Sequence, residues 1–274
     1  MFNSKYYAPS GMLHGSSPRI MGTKLDALLI GGNQTVLEDA WNEAAAEIER
    51  LHNQLNCFDP ESAVSRINRE AFHAPVPVDD ELWNILVDCQ RYNTLTEGYF
   101  DITLSDFNKV QLSEATHTIS FLDEGISIDL GGYGKGYALQ KMQSIFQFHG
   151  IEKALVNFGN SSVLAIGSHP HGDYWPVGIE NPYTHETVYS VKLFDSSLST
   201  SGNSPQHPEH IKNPLTGEYV SERKIVSIVS ANPVDAEILT TALMVAPSEQ
   251  TESILQSFDI QEKYIYNILT DHKS

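Results

Sequence analysis

The sequence is organised around Ile128-Asp129-Leu130-Gly131-Gly132-Tyr133-Gly134-Lys135-Gly136-Tyr137-Ala138-Leu139. We interpret this stretch as a short strand that leads through a glycine-rich turn into a helix. Glycine lets a backbone approach a ligand closely, and the N–H groups at the start of a helix favour an anion. Lys135 adds a positive charge there, and Asp129 supplies a hydrogen-bond acceptor. The stretch alone predicts either an anion site or a tight turn beside a solvated lysine.

Two common nucleotide-binding motifs do not match the stretch. A Walker loop places Ser or Thr directly after its lysine, whereas Gly136 follows Lys135 here. The dinucleotide fingerprint G-x-G-x-x-G needs one residue more than the run from Gly132 to Gly136 provides. Any nucleotide site at this stretch is therefore of another kind.

The composition excludes several classes of function. The net charge of −18 argues against a nucleic-acid binder and against a partner of anionic membranes. No apolar run is long enough to span a membrane, and the N-terminus lacks the apolar core of a signal peptide. We expect a chain that does not span a membrane and that, as given, is not exported, while its compartment stays open. Cys57 and Cys89 match no metal or redox spacing.

Apolar periodicity predicts several helices. The longest follows Gly32, where one face is formed at helical spacing by Leu37, Trp41, Ala44, Ile48, Leu51 and Leu55. The other helices are predicted over Ser62–Asn68, from Asp79 through Cys89, over Tyr133–Phe148, over Asp235–Val245 and near Glu249–Phe258.

Strand patterns alternate irregularly with these helices. They cover Lys24–Ile30, Thr116–Leu122, Gly125–Leu130, Lys153–Phe158, a segment ending at Ile166, Trp175–Ile179, Thr187–Phe194, Arg223–Ser230 and Tyr264–Leu269. Ser10–Pro18, rich in Gly, Ser and Pro, is predicted to be a loop. Without regular β-α-β alternation, the pattern favours an α+β fold: a single large domain over residues 21–274 with a mixed, mostly antiparallel sheet and packed helices. Residues 1–20 are predicted to be an N-terminal extension.

Four further segments carry side chains suited to chemistry. Leu198–Asn203 is a hydroxyl-rich segment, which we interpret as a turn, and Val156–Asn160 is a strand that ends in a tight turn. His210 precedes a Pro/Gly turn and is either a surface residue or a catalyst. Glu237 and Thr241 are four residues apart and share one helix face. Their oxygens suit Mg²⁺, although a solvated polar face would show the same pattern.

The order and spacing of these segments resemble one family, the FAD:protein FMN transferases (ApbE-type flavin transferases). The resemblance extends from Met21 to Thr270 and runs through Met21-Gly22-Thr23, Phe58–Asn68, Phe100-Asp101, Asp129–Ala138, Asn157-Phe158-Gly159, Trp175–Ile179, Thr200-Ser201-Gly202, His210–Gly217 and Glu237–Leu243.

The resemblance implies an ApbE-like domain and a specific reaction. FAD is the substrate and Mg²⁺ the cofactor, and a Thr or Ser hydroxyl of an acceptor protein attacks the phosphate on the FMN side. AMP leaves, and the acceptor, which carries a short flavinylation motif, retains FMN as a phosphoester. Such a transition state gathers negative charge, which a metal and backbone N–H groups stabilise. Family members are commonly exported.

The resemblance also assigns roles to residues of this sequence. Glu237 and Thr241 are implied as metal ligands, together with the carbonyl of Gly134. His210 is implied as the general base for the incoming hydroxyl. The residues implied to contact FAD are Met21 and Phe58, flanking the flavin ring, and Asp129, Gly132, Lys135, Asn157, Gly159 and Thr200.

The sequence departs from the family pattern at several positions. Glu237 stands where Asp is usual, and Phe58 where Tyr is usual. Asn160 replaces a glycine, and Gln140 and Asn213 each replace an aspartate. The segment from 101 to 129 is shorter than usual, and the run that normally follows Thr-Ser-Gly is missing. Two alternatives to transfer follow: an impaired flavin-binding protein of the same fold, or an FAD pyrophosphatase that uses water as the acceptor.

Overall fold

The computed structural model describes residues 1–205 and 208–268, which contain the following elements. The strands are β1 (Asn3–Tyr7), β2 (Met12–Ile20), β3 (Thr23–Ile30), β4 (Val76–Pro77), β5 (Val110–Ser113), β6 (Thr118–Phe121), β7 (Lys153–Phe158), β8 (Ser162–Ile166), β9 (Trp175–Glu180), β10 (Thr187–Leu193), β11 (Ser196–Gly202), β12 (Lys224–Ser230) and β13 (Glu262–Asn267). The helices are α1 (Gln34–Leu55), α2 (Ala63–Glu70), α3 (Asp80–Leu95), α4 (Gly131–Phe148), α5 (Pro233–Val245) and α6 (Thr251–Leu255).

An eight-stranded sheet forms the centre of the fold. Its strand order is β1-β2-β3-β7-β8-β11-β12-β13, and every neighbouring pair is antiparallel. A two-stranded sheet (β9 and β10) and a three-stranded sheet (β4, β6 and β5) complete the described strands. The predicted α+β class with a mostly antiparallel sheet is confirmed.

The two faces of the large sheet bury different partners. Side chains alternate along β12, so that Val226 and Ile228 join the core beneath the helices, whereas Ile225 and Val229 join a second core against the β9–β10 hairpin. The helix-side core contains the predicted apolar face of α1, with Trp41 and Ile48 almost fully buried. Both faces of the central strands are thus covered, which holds their register firmly.

Residues 3–20, set apart above as an N-terminal extension, contribute β1 and β2 to the large sheet. The predicted loop over Ser10–Pro18 is therefore wrong, since Met12–Ile20 is a strand. Small residues make this strand possible. A Cβ on Gly15 would lie 2.4 Å from the Trp41 ring, so glycine lets that ring pack directly against the strand.

The predicted strand over Gly125–Leu130 is absent, because its backbone groups bond elsewhere. The Asn68 side chain accepts from the N–H of Ile128 at 2.7 Å and donates to its carbonyl at 2.9 Å. The N–H of Asp129 donates to the carbonyl of Ile102. These bonds satisfy the backbone N–H and carbonyl groups of an extended segment that has no neighbouring strand.

Two further local predictions are corrected. The glycine-rich turn is instead the first turn of α4, which begins at Gly131. The predicted turn over Leu198–Asn203 lies mostly in β11, where Ser199 is buried and Thr200 and Ser201 are half-buried. Leu269, the end of the last predicted strand, and residues 270–274 lie outside the described residues.

Within the described ranges, no helix has the length and apolar character needed to cross a membrane.

Candidate active site

A cavity of about 570 Å³ opens where the β2–β3 turn, the end of α1 and the start of α4 meet. Its volume lies within the range of small-molecule sites. The lining residues are Arg19, Ile20, Met21, Gly22, His52, Leu55, Asn56, Cys57, Phe58, Asp129, Leu130, Gly131, Gly134 and Lys135. The cavity thus brings together five residues predicted as site residues: Met21, Phe58, Asp129, Gly134 and Lys135.

Met21 is held at the tip of a tight hairpin turn. It has φ 46° and Gly22 has φ 79°, so that both central residues of the β2–β3 turn lie in the left-handed region. Such a turn matches the twist of the flanking strands. A non-glycine residue in this region is uncommon, and the turn fixes Met21 at the wall of the cavity.

Phe58 lies in the segment that connects α1 to α2. Its side chain is 86% exposed, although it lines the cavity. The segment is held by two hydrogen bonds: the N–H of Phe58 donates to Asn56 Oδ1 at 3.1 Å, and Ser65 Oγ donates to the carbonyl of Cys57 at 3.0 Å. An exposed ring on a fixed backbone provides a flat surface on which an aromatic ligand can stack.

Helix α4 begins at the floor of the cavity. Asp129 Oδ1 accepts from the N–H of Gly131 at 2.8 Å, which places a carboxylate at the start of the helix. The thiol of Cys57 lies beside this carboxylate. Burial first, and then the charge of Asp129, raise the pKa of Cys57 to about 11. The thiol therefore stays protonated near neutral pH.

Lys135 connects the cavity to a buried carboxylate. Its ammonium forms an ion pair with Oε1 of Glu237, a residue that is only 4% exposed. The second oxygen, Oε2, accepts hydrogen bonds from Ser162 Oγ at 2.7 Å and from Ser199 Oγ at 2.8 Å. Both serines are almost fully buried. The carboxylate is thus compensated by one cation and two hydroxyls, as a buried charge requires.

Glycines allow α4 and α5 to cross closely at this point. A Cβ on Gly136 would lie 2.7 Å from the carbonyl oxygen of Pro233 and 2.9 Å from Cβ of Glu237. One turn earlier, a Cβ on Gly132 would lie 3.5 Å from Thr241 Oγ1. The hydroxyl of Thr241 donates to the carbonyl of Glu237 at 3.2 Å. The glycine pattern of α4 therefore brings this helix against the face of α5 that carries Glu237 and Thr241.

The magnesium ligands implied by the sequence resemblance are suited to a divalent cation by donor type. Glu237 offers a carboxylate, Thr241 a hydroxyl oxygen and Gly134 a backbone carbonyl, and oxygen donors are those that Mg²⁺ takes. Oε1 of Glu237 already faces a positive charge, the ammonium of Lys135. Among the described residues, no three His, Cys, Asp or Glu side chains cluster in a way that could hold a metal ion.

Seven predicted site residues lie outside the lining of this cavity: Gly132, Glu237 and Thr241, described above, and four others. Asn157, at the end of β7, bonds to Asn160 in its own turn. Gly159 has φ 69°, and a Cβ there would lie 2.4 Å from Thr23 Oγ1. Thr200 Oγ1 bonds to Ser227 of β12 at 2.9 Å. His210 is exposed and lies in the segment between β11 and β12.

Local sequence patterns do not indicate the residues that surround Glu237, nor several of those that line the cavity. Ser199 lies in the hydroxyl-rich segment over Leu198–Asn203. Its common partner with Ser162 depends on the pairing of β8 with β11, which no local pattern reveals. Arg19 and His52 line the cavity from β2 and α1. Arg19 falls in a strand that its composition concealed, and His52 is a polar residue at the end of an amphipathic helix.

Comparisons with known proteins identify the family of this chain and agree with its fold. The model of the ApbE family matches residues 21–111 and 104–265. An FAD:protein FMN transferase of Chlamydia muridarum is 27% identical over 251 residues, which cover 76% of this chain and 77% of that one. A flavin transferase ApbE of Vibrio cholerae has TM-score 0.79 at 21% identity, over 98% and 95% of the two chains. The apo flavinyl transferase ApbE of Pseudomonas stutzeri has TM-score 0.81 at 18% identity, over 98% and 93%.

Proposed function

The chain belongs to the ApbE family, and we propose that it is an Mg²⁺-dependent FAD:protein FMN transferase. In the proposed reaction, a Thr or Ser hydroxyl of an acceptor protein attacks the phosphorus on the FMN side of FAD. A new P–O bond forms to the acceptor, the pyrophosphate P–O bond breaks, and AMP leaves with the bridging oxygen. The relatives named FAD:protein FMN transferase support this assignment.

One structural observation carries the proposal: the cavity combines an aromatic surface with a cationic helix start. Met21 and Phe58 are placed to contact the flavin ring, since a thioether and an exposed phenyl ring both suit a flat aromatic system. Gly131, Gly134 and Lys135 line the cavity where α4 begins. The positive end of a helix dipole and a lysine stabilise the negative charge of a pyrophosphate.

The remaining roles fall mostly on residues that do not line the cavity. Glu237, Thr241 and the carbonyl of Gly134 would hold Mg²⁺, which when bound neutralises charge on the pyrophosphate. His210 is proposed to take the proton from the acceptor hydroxyl, because imidazole titrates nearest neutral pH. Its exposed position leaves it accessible to a protein substrate. Asn157, Gly159 and Thr200 are proposed to line the more distant part of the dinucleotide.

The test is an incubation of the protein with FAD and Mg²⁺, with and without an acceptor peptide that carries a threonine flavinylation motif. Chromatography measures FMN and AMP, and mass spectrometry measures FMN on the peptide. We expect AMP and labelled peptide in equal amounts, and no product when EDTA removes the metal. Free FMN in place of labelled peptide would indicate hydrolysis. Intact FAD in every arm would contradict the proposed activity.

A further inference from the structure

Lys135 has two environments at once. Its residue lines the cavity, and its ammonium is paired with the buried carboxylate of Glu237. The lysine side chain is 21% exposed, whereas that of Glu237 is 5% exposed. The ammonium therefore lies at the boundary between the protein core and the cavity where the phosphates of a ligand are proposed to bind.

The two oxygens of Glu237 differ in how firmly their partners are held. Oε2 accepts from Ser162 and Ser199, whose short side chains belong to paired strands of the central sheet. Oε1 is paired with Lys135, which reaches it from a different helix. A lysine side chain is a compact charge on a flexible four-carbon stem. Only the partner of Oε1 can change without disturbing the sheet.

An ionised carboxylate that is buried needs compensation for its charge. Removing the partner of a buried charge is strongly destabilising, so Glu237 in the metal-free protein depends on Lys135. A divalent cation at Oε1 would supply the same compensation with twice the charge. The ammonium and a metal at this oxygen would then repel each other at close range, so both cannot occupy the carboxylate together.

We propose that Lys135 is a tethered substitute for the divalent cation. It neutralises Glu237 in the metal-free protein, leaves Oε1 when a metal binds there, and moves into the cavity, where its ammonium faces the phosphates of the nucleotide. This inference rests on the proposed metal site of the transferase. It makes Lys135 a regulator of metal affinity as well as a phosphate ligand.

The first experiment measures Mn²⁺ binding to the full chain at pH 8 by electron paramagnetic resonance, in the absence of FAD and acceptor. Lys135→Gln removes the competing ammonium, and we expect it to bind Mn²⁺ at least about tenfold more tightly than the wild type. Lys135→Arg keeps a competing cation and should show no such gain. Lys141→Gln is the matched control, since Lys141 lies on the same helix and pairs with Glu81 at 2.7 Å.

The second experiment follows the exchange in the wild-type chain, and variants serve only to assign its signals. Reductive methylation with ¹³C-formaldehyde labels the lysines, and NMR follows their methyl signals during addition of Mg²⁺. We expect the signal of Lys135 to shift with Mg²⁺ as the ammonium leaves Glu237, and the signal of Lys141 to stay in place. Resonances are assigned by loss of the signal in Lys135→Arg and Lys141→Arg.

The outcomes separate this inference from the transferase activity. Two results would overturn the proposed replacement of Lys135 by a metal, even if the wild type transfers FMN. One is that Lys135→Gln binds Mn²⁺ no more tightly than the wild type, and the other is that the Lys135 signal does not shift when Mg²⁺ is added. Tighter Mn²⁺ binding by Lys135→Gln together with a shifted Lys135 signal would support it even if no acceptor is labelled. Absence of metal binding by every variant would also overturn it.

Discussion

Ser162 and Ser199 face each other across β8 and β11, and both donate a hydrogen bond to one oxygen of Glu237. Their distances to Oε2, 2.7 and 2.8 Å, are those of hydroxyls bound to a carboxylate. The central sheet thus fixes the carboxylate that α5 carries. A glutamate extends one methylene farther than an aspartate would, and the paired serines meet it at that distance.

Ser199→Ala is expected to destabilise the protein through this carboxylate. The substitution leaves a buried charged acceptor with one donor fewer, and we expect the free energy of unfolding to fall by about 2 kcal/mol. Ser197→Ala is the control, because its buried hydroxyl on the same strand donates to a neutral carbonyl, that of Val163. Urea unfolding should show a loss of about 1 kcal/mol there. Equal losses of unfolding free energy in the two variants would mean that the charge of Glu237 does not strengthen its hydrogen bond from Ser199.

Gly136→Ala is expected to separate α4 from α5. The added methyl would lie 2.7 Å from the carbonyl oxygen of Pro233, and overpacking of this kind costs about 2 kcal/mol. Gly134→Ala tests the alternative that only helix propensity matters, since its methyl would meet nothing within 4 Å. That variant should be as stable as the wild type or more stable by up to about 1 kcal/mol. Thermal unfolding that ranks the two variants in the opposite order would refute the close crossing.

Phe58→Ala is expected to weaken FAD binding without a change in stability. The ring is 86% exposed, so its removal costs little core packing. Stacking of an aromatic side chain on a ring system contributes about 1–3 kcal/mol, which predicts a loss of affinity of about tenfold or more. Phe148→Ala is the control, with a ring that is 83% exposed on another surface. Quenching of FAD fluorescence measures the FAD affinity of both variants. Equal affinities would show that Phe58 does not contact the flavin.

Cys57 is expected to react slowly with iodoacetamide at neutral pH. Its pKa of about 11 means that the reactive thiolate is scarce until the pH approaches that value. The rate should rise by about tenfold per pH unit from pH 7 to 10, whereas a thiol with an ordinary pKa would level off near its pKa of about 8.5. Peptide mass spectrometry should show Cys89 unlabelled, since burial raises its pKa well above the usual value. A plateau for Cys57 below pH 9.5, roughly one unit above the ordinary pKa, would show that Asp129 and burial do not act on it.

His210→Ala is expected to slow transfer to the acceptor more than it weakens FAD binding. A general base contributes about 100-fold to the rate, and an exposed side chain that does not line the cavity adds little to FAD affinity. Single-turnover labelling of the acceptor measures the first effect, and fluorescence titration measures the second. Equal losses in both measurements would make His210 a binding residue.

The helices were predictable because their signals are local. The apolar face of α1 and the capping residues Ser62 and Asp79 are all visible in short windows of sequence, and the structure has helices at each place. The N-terminal strands were not predictable in this way. Residues 12–20 contain small and polar residues that resemble a loop, yet they form a strand that pairs with β1 and β3 and packs at Gly15 against the distant Trp41 ring.

The candidate site was predictable in its residue types but not in its pairings. Glu237 and Lys135 lie far apart in the chain, and no pattern in either segment indicates that their side chains meet. The glycines around Lys135 suggested a turn, because glycine is common in turns. They serve the helix crossing instead, where Gly136 faces Cβ of Glu237. Long-range packing decides this use of glycine.

The strands of the large sheet follow one another in chain order from β1 to β13, with helices inserted between them. During synthesis on a ribosome, each new strand can therefore join the edge that the previous strand left open, without displacing an earlier partner. Ser162 and Ser199 emerge before Glu237. The hydroxyls of Ser162 and Ser199 can thus be in place before Glu237 is synthesised, so that its carboxylate packs against hydrogen-bond donors that the nascent chain has already positioned.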